Sequence, residues 1–252
     1  YESFFNTFDI WILIDGFISI MIPVDHIICG DYILAMDQSF TVIEKGAVAI
    51  KGNKILDVGP SEEISGKYIA GKISAGEGKA VLPGFINTHT HAAMVYFRGI
   101  ADDLPLTEWL NNHIWPAENR WLSPSFVSDA VELACLEMLK GGITTYNDMY
   151  FFEDHIAQAT ADAGMRAVCG QSVMKYPAPD APSYEDSIAM AREYIRKWKG
   201  HSLIVPSIAP HAPYSTTPEI LRTCADIAKE FDVPLHIHIS ETAFEVENML
   251  NE

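Results

Sequence analysis

Strand-like and helix-like segments alternate along the second half of the chain. Amphipathic helical patterns near residues 153–163, 184–199 and 217–231 separate short strand-like runs, which are Ile143–Met149, Arg166–Ser172, Leu203–Ala209 and Val233–Ile239. Strands that alternate with such helices form parallel sheets, because each helix carries the chain back to the edge where the next strand begins. The pattern therefore predicts an α/β fold.

Two α/β architectures fit this alternation, an open doubly wound sheet and a closed (β/α)8 barrel. The first strand-like run of the series, Ala80–Asn87, carries no GxGxxG motif and no phosphate-binding loop, which weakens the case for a nucleotide-binding open sheet. About five βα units are visible before Glu252, which is too few to close a barrel of eight. The alternation alone leaves both architectures open.

The residues before position 80 have a different pattern. Three short runs bounded by turn residues predict strands of a small antiparallel unit: Ile27–Met36, Phe40–Ile50 and Ile55–Val58. After the Ala80–Asn87 strand we expect a long irregular connection to about Leu122. Ser123 and Pro124 then match the N-cap and the first residue of a helix that continues to Leu139.

The composition argues against two classes of partner. The formal net charge is −17 and the pI is about 4.8, so nucleic acid and anionic membranes would be repelled. The four cysteines stand singly, without a CxxC pair, which is typical of buried free thiols in a reducing compartment. We therefore expect a cytoplasmic protein whose main partner is neither nucleic acid nor a membrane.

Residues 1–24 match no standard targeting segment. They are apolar but contain Glu2, Asp9 and Asp15 and no Lys or Arg. A signal peptide would begin with basic residues, and a membrane span would need about 20 residues largely free of charge. The segment is left unassigned, and residues 1–20, which precede Met21, could be upstream sequence.

The run PGFINTHTH places two histidines, His89 and His91, at the end of the first predicted parallel strand. Side chains at positions i and i+2 of a strand point to the same face, so the two imidazoles are expected to lie side by side. Such a pair is a natural ligand set for zinc or iron. A chance HxH is the plain alternative, and the apolar strand before it favours the metal site.

A second pair, His236 and His238, closes the fifth strand-like run, and Glu241 follows in the next loop. Parity again puts both imidazoles on one face, with His238 nearer the strand end, where barrel active sites form. A carboxylate beside a metal-activated water could take its proton and deliver it to a leaving amine. His211, in the Pro-rich loop after the fourth run, is a further candidate.

Five segments occur in one order along the chain: PGFINTHTHAAM, LPLTEWL, GGITTYNDMYF, APHAPYS and HIHISET. In this order and at these separations they resemble the 5-methylthioadenosine/S-adenosylhomocysteine deaminases of the amidohydrolase superfamily, whose relatives include chlorohydrolases and guanine deaminases. The resemblance covers residues 26–252. It is specific for the superfamily and less so for the substrate.

The resemblance implies a mononuclear metal hydrolase built as a distorted (β/α)8 barrel with a small β-sandwich. Residues 25–79 are then the sandwich portion. Residues 80–252 are the N-terminal part of a TIM-like barrel, incomplete at about five βα units. The implied cofactor is one divalent metal, zinc first and iron second. Binuclear relatives carry a modified Lys at the fourth strand, and Leu203–His211 contains no Lys.

The resemblance also assigns roles to individual residues. The implied metal ligands are His89, His91 and His238. Glu241 is implied as the catalytic proton shuttle in contact with substrate, and His211 as a substrate contact. Trp109 and Glu118 would line the nucleoside pocket, with Glu118 on the ribose hydroxyls.

The sequence departs from the family pattern in two respects. Gln171 stands about where some relatives have a substrate-facing Arg. The family also places a further His and an Asp ligand at positions beyond Glu252. For this reason we expect the chain of 252 residues to be incomplete and inactive alone.

The predicted function is the hydrolytic deamination of an adenosine-type nucleoside, with release of ammonia. The same residues would also suit a chlorohydrolase or a deaminase of guanine or another base. An alternative of a different class is a non-catalytic, truncated barrel. The expected partner is a small nucleoside or heterocycle, and a homo-oligomer is compatible with this interpretation. The H-x-E and P-C-x-x-C pattern of the zinc cytidine deaminases is absent, which excludes that class.

Overall fold

The computed structural model describes residues 10–14 and 17–251, which divide into two compact units. The first unit is Tyr1–Pro83 and the second is Gly84–Glu252. The sequence predicts that the sandwich portion ends at residue 79. In the structure the short strand Ala80–Val81 pairs with a strand of the first unit.

The described residues of the first unit form six strands and one helix. They are β1 (Ile10–Ile14), β2 (Phe17–Leu34), β3 (Val42–Lys51), β4 (Lys54–Pro60), α1 (Ser61–Lys67), β5 (Tyr68–Ser74) and β6 (Ala80–Val81). The strands β1 to β4 are antiparallel neighbours in sequence order, as the predicted antiparallel unit requires. The strands β5 and β6 add to β2 in parallel, which the prediction did not include.

The six strands form one mixed sheet. Its buried side chains, including Val24, Ile27 and Ala47, pack with Ile64 of α1 in a small apolar cluster. Among the described residues of this unit there is no second sheet facing the first. Part of the unassigned segment 1–24 belongs to β1 and β2, and its residues 1–9 and 15–16 lie outside the described residues.

The second unit begins with strand β7 and an excursion of short helices. Its elements are β7 (Phe85–Thr90), a 3-10 helix (Ala92–Phe97), α2 (Leu106–Trp109), a π-helical turn (Leu110–Ile114), α3 (Trp115–Trp121), α4 (Pro124–Lys140), β8 (Ile143–Tyr150), α5 (Glu153–Asp162), β9 (Arg166–Val173), α6 (Tyr184–Trp198), β10 (Ile204–Pro210), α7 (Pro218–Phe231) and α8 (Ala243–Asn251). Strands β7 to β10 pair in parallel in sequence order. The predicted α/β alternation is confirmed over this region.

Local sequence signals explain where these helices begin and which face they bury. The Ser123 hydroxyl caps α4 by accepting a hydrogen bond from the backbone N–H of Phe126, as predicted. In α7, Ile220, Cys224 and Ile227 follow the helical spacing and are fully buried. Burying an isoleucine side chain contributes about 1.5–3 kcal/mol, so this face holds α7 against the sheet.

The predicted strand Ala80–Asn87 is wrong as a single element, because it is divided between β6 and β7. Pro83 has no N–H to continue a ladder. At Gly84 an added Cβ would lie 2.3 Å from the Thr144 side chain, so the backbone there approaches β8 too closely for any larger residue. The second strand therefore starts at Phe85 and brings His89 to its C-terminal end.

The predicted irregular connection to Leu122 is wrong in its second half, which is helical. Pro116 cannot donate an N–H to the preceding turn and would ordinarily break a helix. The chain instead widens into a π turn directly before it, where the Trp115 N–H donates to the Leu110 carbonyl. This turn lets the helical path continue from α2 into α3.

The predicted fifth strand, Val233–Ile239, is reduced to one bridge between Ile208 and Leu235. The Ile208 N–H donates to the Pro234 carbonyl, and the His236 N–H donates to the Ile208 carbonyl. The rungs on either side would need an N–H from Pro206, Pro210 or Pro234, and proline has none. The segment thus runs beside β10 without forming a regular ladder.

The structure bears on two further sequence predictions. Within the part of the chain that the structure describes, no helix combines the length and the apolar character that a membrane crossing requires. The cysteines are free, as predicted; Cys135, Cys169 and Cys224 are buried, whereas Cys29 is only partly so.

Candidate metal centre and substrate cavity

Three predicted histidines come together at the C-terminal side of the parallel sheet. The ring centroids of His89 and His91 are 5.3 Å apart, and that of His238 lies 5.0 Å from the first and 5.1 Å from the second. One ring nitrogen from each lies within 4.8 Å of the others. Ligand nitrogens on one tetrahedral zinc ion lie roughly 3.3 Å apart, so small rotamer changes would bring all three onto one ion.

The surroundings of His91 and His238 keep both imidazoles neutral and fix the tautomer of His91, as metal binding requires. Nδ1 of His91 lies 2.6 Å from the Met149 carbonyl oxygen. A carbonyl only accepts, so Nδ1 carries the proton and Nε2 keeps its lone pair. Burial lowers the pKa of His91, and burial followed by the surrounding imidazoles lowers the pKa of His238 to about 3. Both rings are therefore neutral at pH 7, as metal ligation requires.

His236 does not share the role of His238, although the alternation of side chains along a strand predicted that both point to one face. Its Nε2 donates to the Asp148 carbonyl at 3.0 Å, and its Nδ1 lies 3.3 Å from the Ser207 hydroxyl. Both ring nitrogens are thus used within the fold. The ring packs on Gly170, where an added Cβ would lie 2.4 Å from it. The prediction that alternate side chains share one face fails here because the segment is not a regular strand.

His211 follows β10 directly and lies beside the three-histidine cluster. Its ring centroid is 5.3 Å from that of His238, and Nδ1 lies 2.7 Å from the Ser215 hydroxyl. Burial, and then the nearby His91, lowers the pKa of His211 to about 4. A neutral imidazole with Nδ1 engaged has Nε2 left for a ligand in the cavity.

Glu241 is exposed and is held by residues on both sides of it. The Tyr214 hydroxyl donates to Oε2 of Glu241 at 2.9 Å. The buried Glu245 carboxylate accepts from the backbone N–H of Ser240 at 2.8 Å and of Glu241 at 3.4 Å. Thr242 caps the N–H of Glu245 in return, so the start of α8 fixes this loop.

Two adjoining cavities lie next to the histidines. The smaller, of about 80 Å³, is lined by all the predicted site residues except His89: Trp109, Glu118, His91, His211, His238 and Glu241. The larger, of about 850 Å³, extends over α2, α3 and α8. The two share Glu118, Trp115 and Tyr214, so these residues lie where one cavity meets the other.

Glu118 is only 4% exposed and Trp109 is half-buried. The Tyr150 hydroxyl donates to Oε1 of Glu118 at 2.7 Å. Burial raises the pKa of Glu118 to about 7, although this hydrogen bond opposes the shift. The Trp109 indole N–H donates to the Ile100 carbonyl at 3.2 Å, which anchors the ring at the cavity wall.

Residues 80–252 match the amidohydrolase family. The chain belongs to this family. It is 50% identical to the 5-methylthioadenosine/S-adenosylhomocysteine deaminase of Thermodesulfovibrio yellowstonii, over 89% of this chain and 52% of that protein. It is 43% identical to the enzyme of the same name from Syntrophobacter fumaroxidans, over 90% of this chain and 52% of that protein. The chain thus spans about half the length of the curated relatives it matches.

A solved structure of an adenosine deaminase from Xanthomonas campestris with bound zinc is also similar to this amidohydrolase. The TM-score is 0.89 at 35% sequence identity, with 92% of this chain and 53% of that chain covered. The likeness extends across most of both units.

Sequence reasoning missed several polar residues of this amidohydrolase site. Tyr214 and Ser215 lie in the APHAPYS segment, so their position beside His211 was a signal that could have been used. Tyr150 and Asp148 lie in GGITTYNDMYF, where an aspartate within the predicted strand was also a signal.

Gln171 lies inside the fold of this amidohydrolase and lines neither cavity among the described residues. It is 2% exposed, and its Nε2 donates to Oδ2 of Asp180 at 3.0 Å. The Phe152 N–H donates to the same oxygen at 2.7 Å. Gln171 thus ties β9 to the loop before α6.

Proposed function

We propose that this protein hydrolytically deaminates an adenosine-type nucleoside and releases ammonia. The observation that carries the proposal is the convergence of His89, His91 and His238, with Glu241 at the rim of the adjoining cavity and Glu118 buried in its wall. Relatives of 43–50% identity that are named for this reaction support it. We also propose that the parallel sheet is part of a (β/α)8 barrel and that the first unit belongs to a β-sandwich.

His89, His91 and His238 are the residues proposed to hold one divalent metal, and zinc is the ion proposed. The fit rests on the donor set, which is three imidazoles with ring nitrogens within 4.8 Å, two of them with lowered pKa values. When bound, the ion would supply Lewis-acid activation of a water, whose pKa falls from 15.7 toward about 7.

Glu241 is proposed as the group that moves protons. One of its carboxylate oxygens takes a proton from the attacking water and returns it to the departing amine, so that ammonia leaves and the carboxylate is regenerated. The hydrogen bond from Tyr214 occupies Oε2 and restrains the side chain, which leaves Oε1 for the proton. His211 presents Nε2 to the same small cavity and is proposed to contact the purine.

Glu118 is proposed to bind the ribose. It lines both cavities, and Tyr150 occupies one of its oxygens, so Oε2 can accept from a sugar hydroxyl. The base would then lie beside the histidines, with Trp109 at the cavity wall, and the 5′ substituent would extend into the larger cavity. A volume of about 850 Å³ has room for a substituent larger than a hydroxyl.

The test is ammonia release, with added zinc, by the purified protein at its full natural length. The substrates to compare are 5′-methylthioadenosine, S-adenosylhomocysteine, adenosine, guanine and a chlorotriazine. Glu241→Gln should keep the fold and lose about 10²–10⁴-fold in turnover, the typical contribution of a general acid–base group. If guanine were the best substrate, the protein would be a base deaminase instead. If the chlorotriazine were the best substrate, it would be a chlorohydrolase. No turnover of any compound by the protein at its full natural length would favour the non-catalytic alternative.

A further inference from the structure

Asp148 connects the two segments that carry the histidine cluster. It lies near the C-terminal end of β8 and is fully buried. Its Oδ1 accepts a hydrogen bond of 2.6 Å from the Thr90 hydroxyl and one of 2.7 Å from the Ala92 N–H. Thr90 and Ala92 flank His91, so one carboxylate oxygen holds the residues on both sides of that imidazole.

The backbone around Asp148 makes two further contacts with histidines. The Met149 carbonyl accepts from Nδ1 of His91, and the Asp148 carbonyl accepts from Nε2 of His236. His236 stands two residues before His238. The end of β8 is therefore bonded to the loop of His91 and to the segment that delivers His238.

Folding stability alone does not account for an aspartate here. The second oxygen, Oδ2, is buried without a hydrogen-bond partner among the residues that the structure describes. A buried carboxylate oxygen left unpaired costs free energy. A leucine of similar size would avoid that cost, but it would lose the two bonds to Thr90 and Ala92. Because burying this unpaired oxygen lowers the stability of the fold, the aspartate is explained better by a role other than stability.

We propose that Asp148 is a positioning residue that sets the orientation of the histidine ligands through its bonds to Thr90 and Ala92. This inference rests on the proposed function, because it presumes that the histidines hold a metal. Groups that orient metal ligands typically contribute 10–100-fold in metal affinity. Asp148 itself touches neither the substrate nor the ion in this account.

The test measures metal affinity in solution, with three variants at this contact. Asp148→Leu has a similar shape and accepts no hydrogen bond. Asp148→Asn retains one accepting oxygen. Thr90→Val removes one of the two donors. The matched control is Glu153→Leu, because Glu153 is equally buried and lies outside the cavity lining.

Zinc affinity is measured on the purified, metal-free proteins by competition with a chromophoric chelator, and the absorption spectrum of the cobalt-substituted proteins reports ligand geometry. We expect at least tenfold weaker binding and an altered spectrum for Asp148→Leu, and values within about threefold of the parent for Asp148→Asn. Thr90→Val should fall between them, and Glu153→Leu should match the parent.

Several results would overturn the inference. They are parent-like affinity in Asp148→Leu, an equal loss in Glu153→Leu, or a loss in Asp148→Asn as large as in Asp148→Leu. If Asp148→Leu does not fold, the zinc affinity of Thr90→Val is the deciding measurement. An affinity of Thr90→Val equal to that of the parent would then overturn the inference. A parent protein that binds no zinc would instead refute the proposed function, which keeps the two failures distinguishable.

Discussion

The hydroxyl of Tyr214 donates a hydrogen bond of 2.9 Å to Oε2 of Glu241. Tyr214 lies in the short 3-10 turn Pro213–Ser215 that follows β10, and Glu241 lies in the loop before α8. Because Glu241 is exposed, its side chain would otherwise sample several rotamers. The contact therefore joins two loops and selects one orientation of the carboxylate.

Tyr214→Phe should lower kcat by about tenfold or more and change KM much less. A hydrogen bond to a charged group contributes about 1.5–3 kcal/mol, and 1.4 kcal/mol is a factor of ten. Steady-state kinetics with 5′-methylthioadenosine provides the measurement. Tyr176→Phe is the control, since Tyr176 lines the larger cavity and contacts Lys175 rather than Glu241. A Tyr214→Phe enzyme as fast as the parent would contradict the positioning of Glu241.

His89→Ala and His238→Ala should each lose most of the bound metal. Each removes one of three imidazoles whose ring nitrogens lie within 4.8 Å, and two remaining ligands hold a divalent ion poorly. Metal content per chain is measured on the purified variants by mass spectrometry. His201→Ala, at an exposed position outside the cluster, should keep the parent value. Unchanged metal in both cluster variants would show that the ligands are wrong.

Glu118→Ala should raise KM for adenosine-type nucleosides by about 10–100-fold, the range expected for lost hydrogen bonds to a charged group. KM for free adenine should change little, since the base has no hydroxyls to bind. The comparison of nucleoside with free base in the same variant separates sugar binding from general damage. An equal rise for both would remove Glu118 from the sugar site.

Among the described residues that line the larger cavity, Lys175 has the only positively charged side chain. If the 5′ substituent extends into this cavity, the carboxylate of S-adenosylhomocysteine can pair with this ammonium. Lys175→Met should therefore lower kcat/KM for S-adenosylhomocysteine by about tenfold, as expected for a charge-assisted hydrogen bond, and leave 5′-methylthioadenosine unaffected. Lys175→Arg should retain the preference. A parallel fall for both substrates would contradict this role.

The contribution of Glu153 to stability should fall as the pH rises above 4.5. Burial, and then the charges of Asp148 and Asp180, raises the pKa of Glu153 well above 4.5. The folded state thus holds a proton that the unfolded state loses above pH 4.5, which costs roughly 1.4 kcal/mol per pH unit until the folded pKa is reached. Glu118 acts in the same direction between pH 4.5 and about 7.

Urea unfolding at pH 5 and pH 8 tests this dependence. The free energy of unfolding at pH 8 minus that at pH 5 should be more negative in the parent than in Glu153→Gln, which cannot ionise. Glu118→Gln should also flatten the dependence. A Glu153→Gln protein with the same pH dependence as the parent would show that this carboxyl is not buried as a neutral acid.

Much of the fold followed from local sequence patterns. The alternation of strands and helices from residue 143 onward and the cap at Ser123 depend on neighbours a few positions apart, and both are confirmed. The predicted strand Ala80–Asn87 is interrupted at Pro83, and the predicted irregular connection to Leu122 is helical where a π turn precedes Pro116. The fifth strand failed for the same class of reason, because the missing N–H groups lie partly on Pro206 and Pro210 of another strand.

The sequence by itself determined the pairing of His89 with His91, because strand geometry places alternate residues on one face. Only the tertiary structure decided that His236 lies outside this cluster and is bonded to Asp148, 88 residues away. Only the tertiary structure brought Tyr150 to Glu118, 32 residues apart, and gave that carboxyl a pKa of about 7. Burial and hydrogen bonding between distant residues arise when the chain packs, so they cannot be predicted from local periodicity.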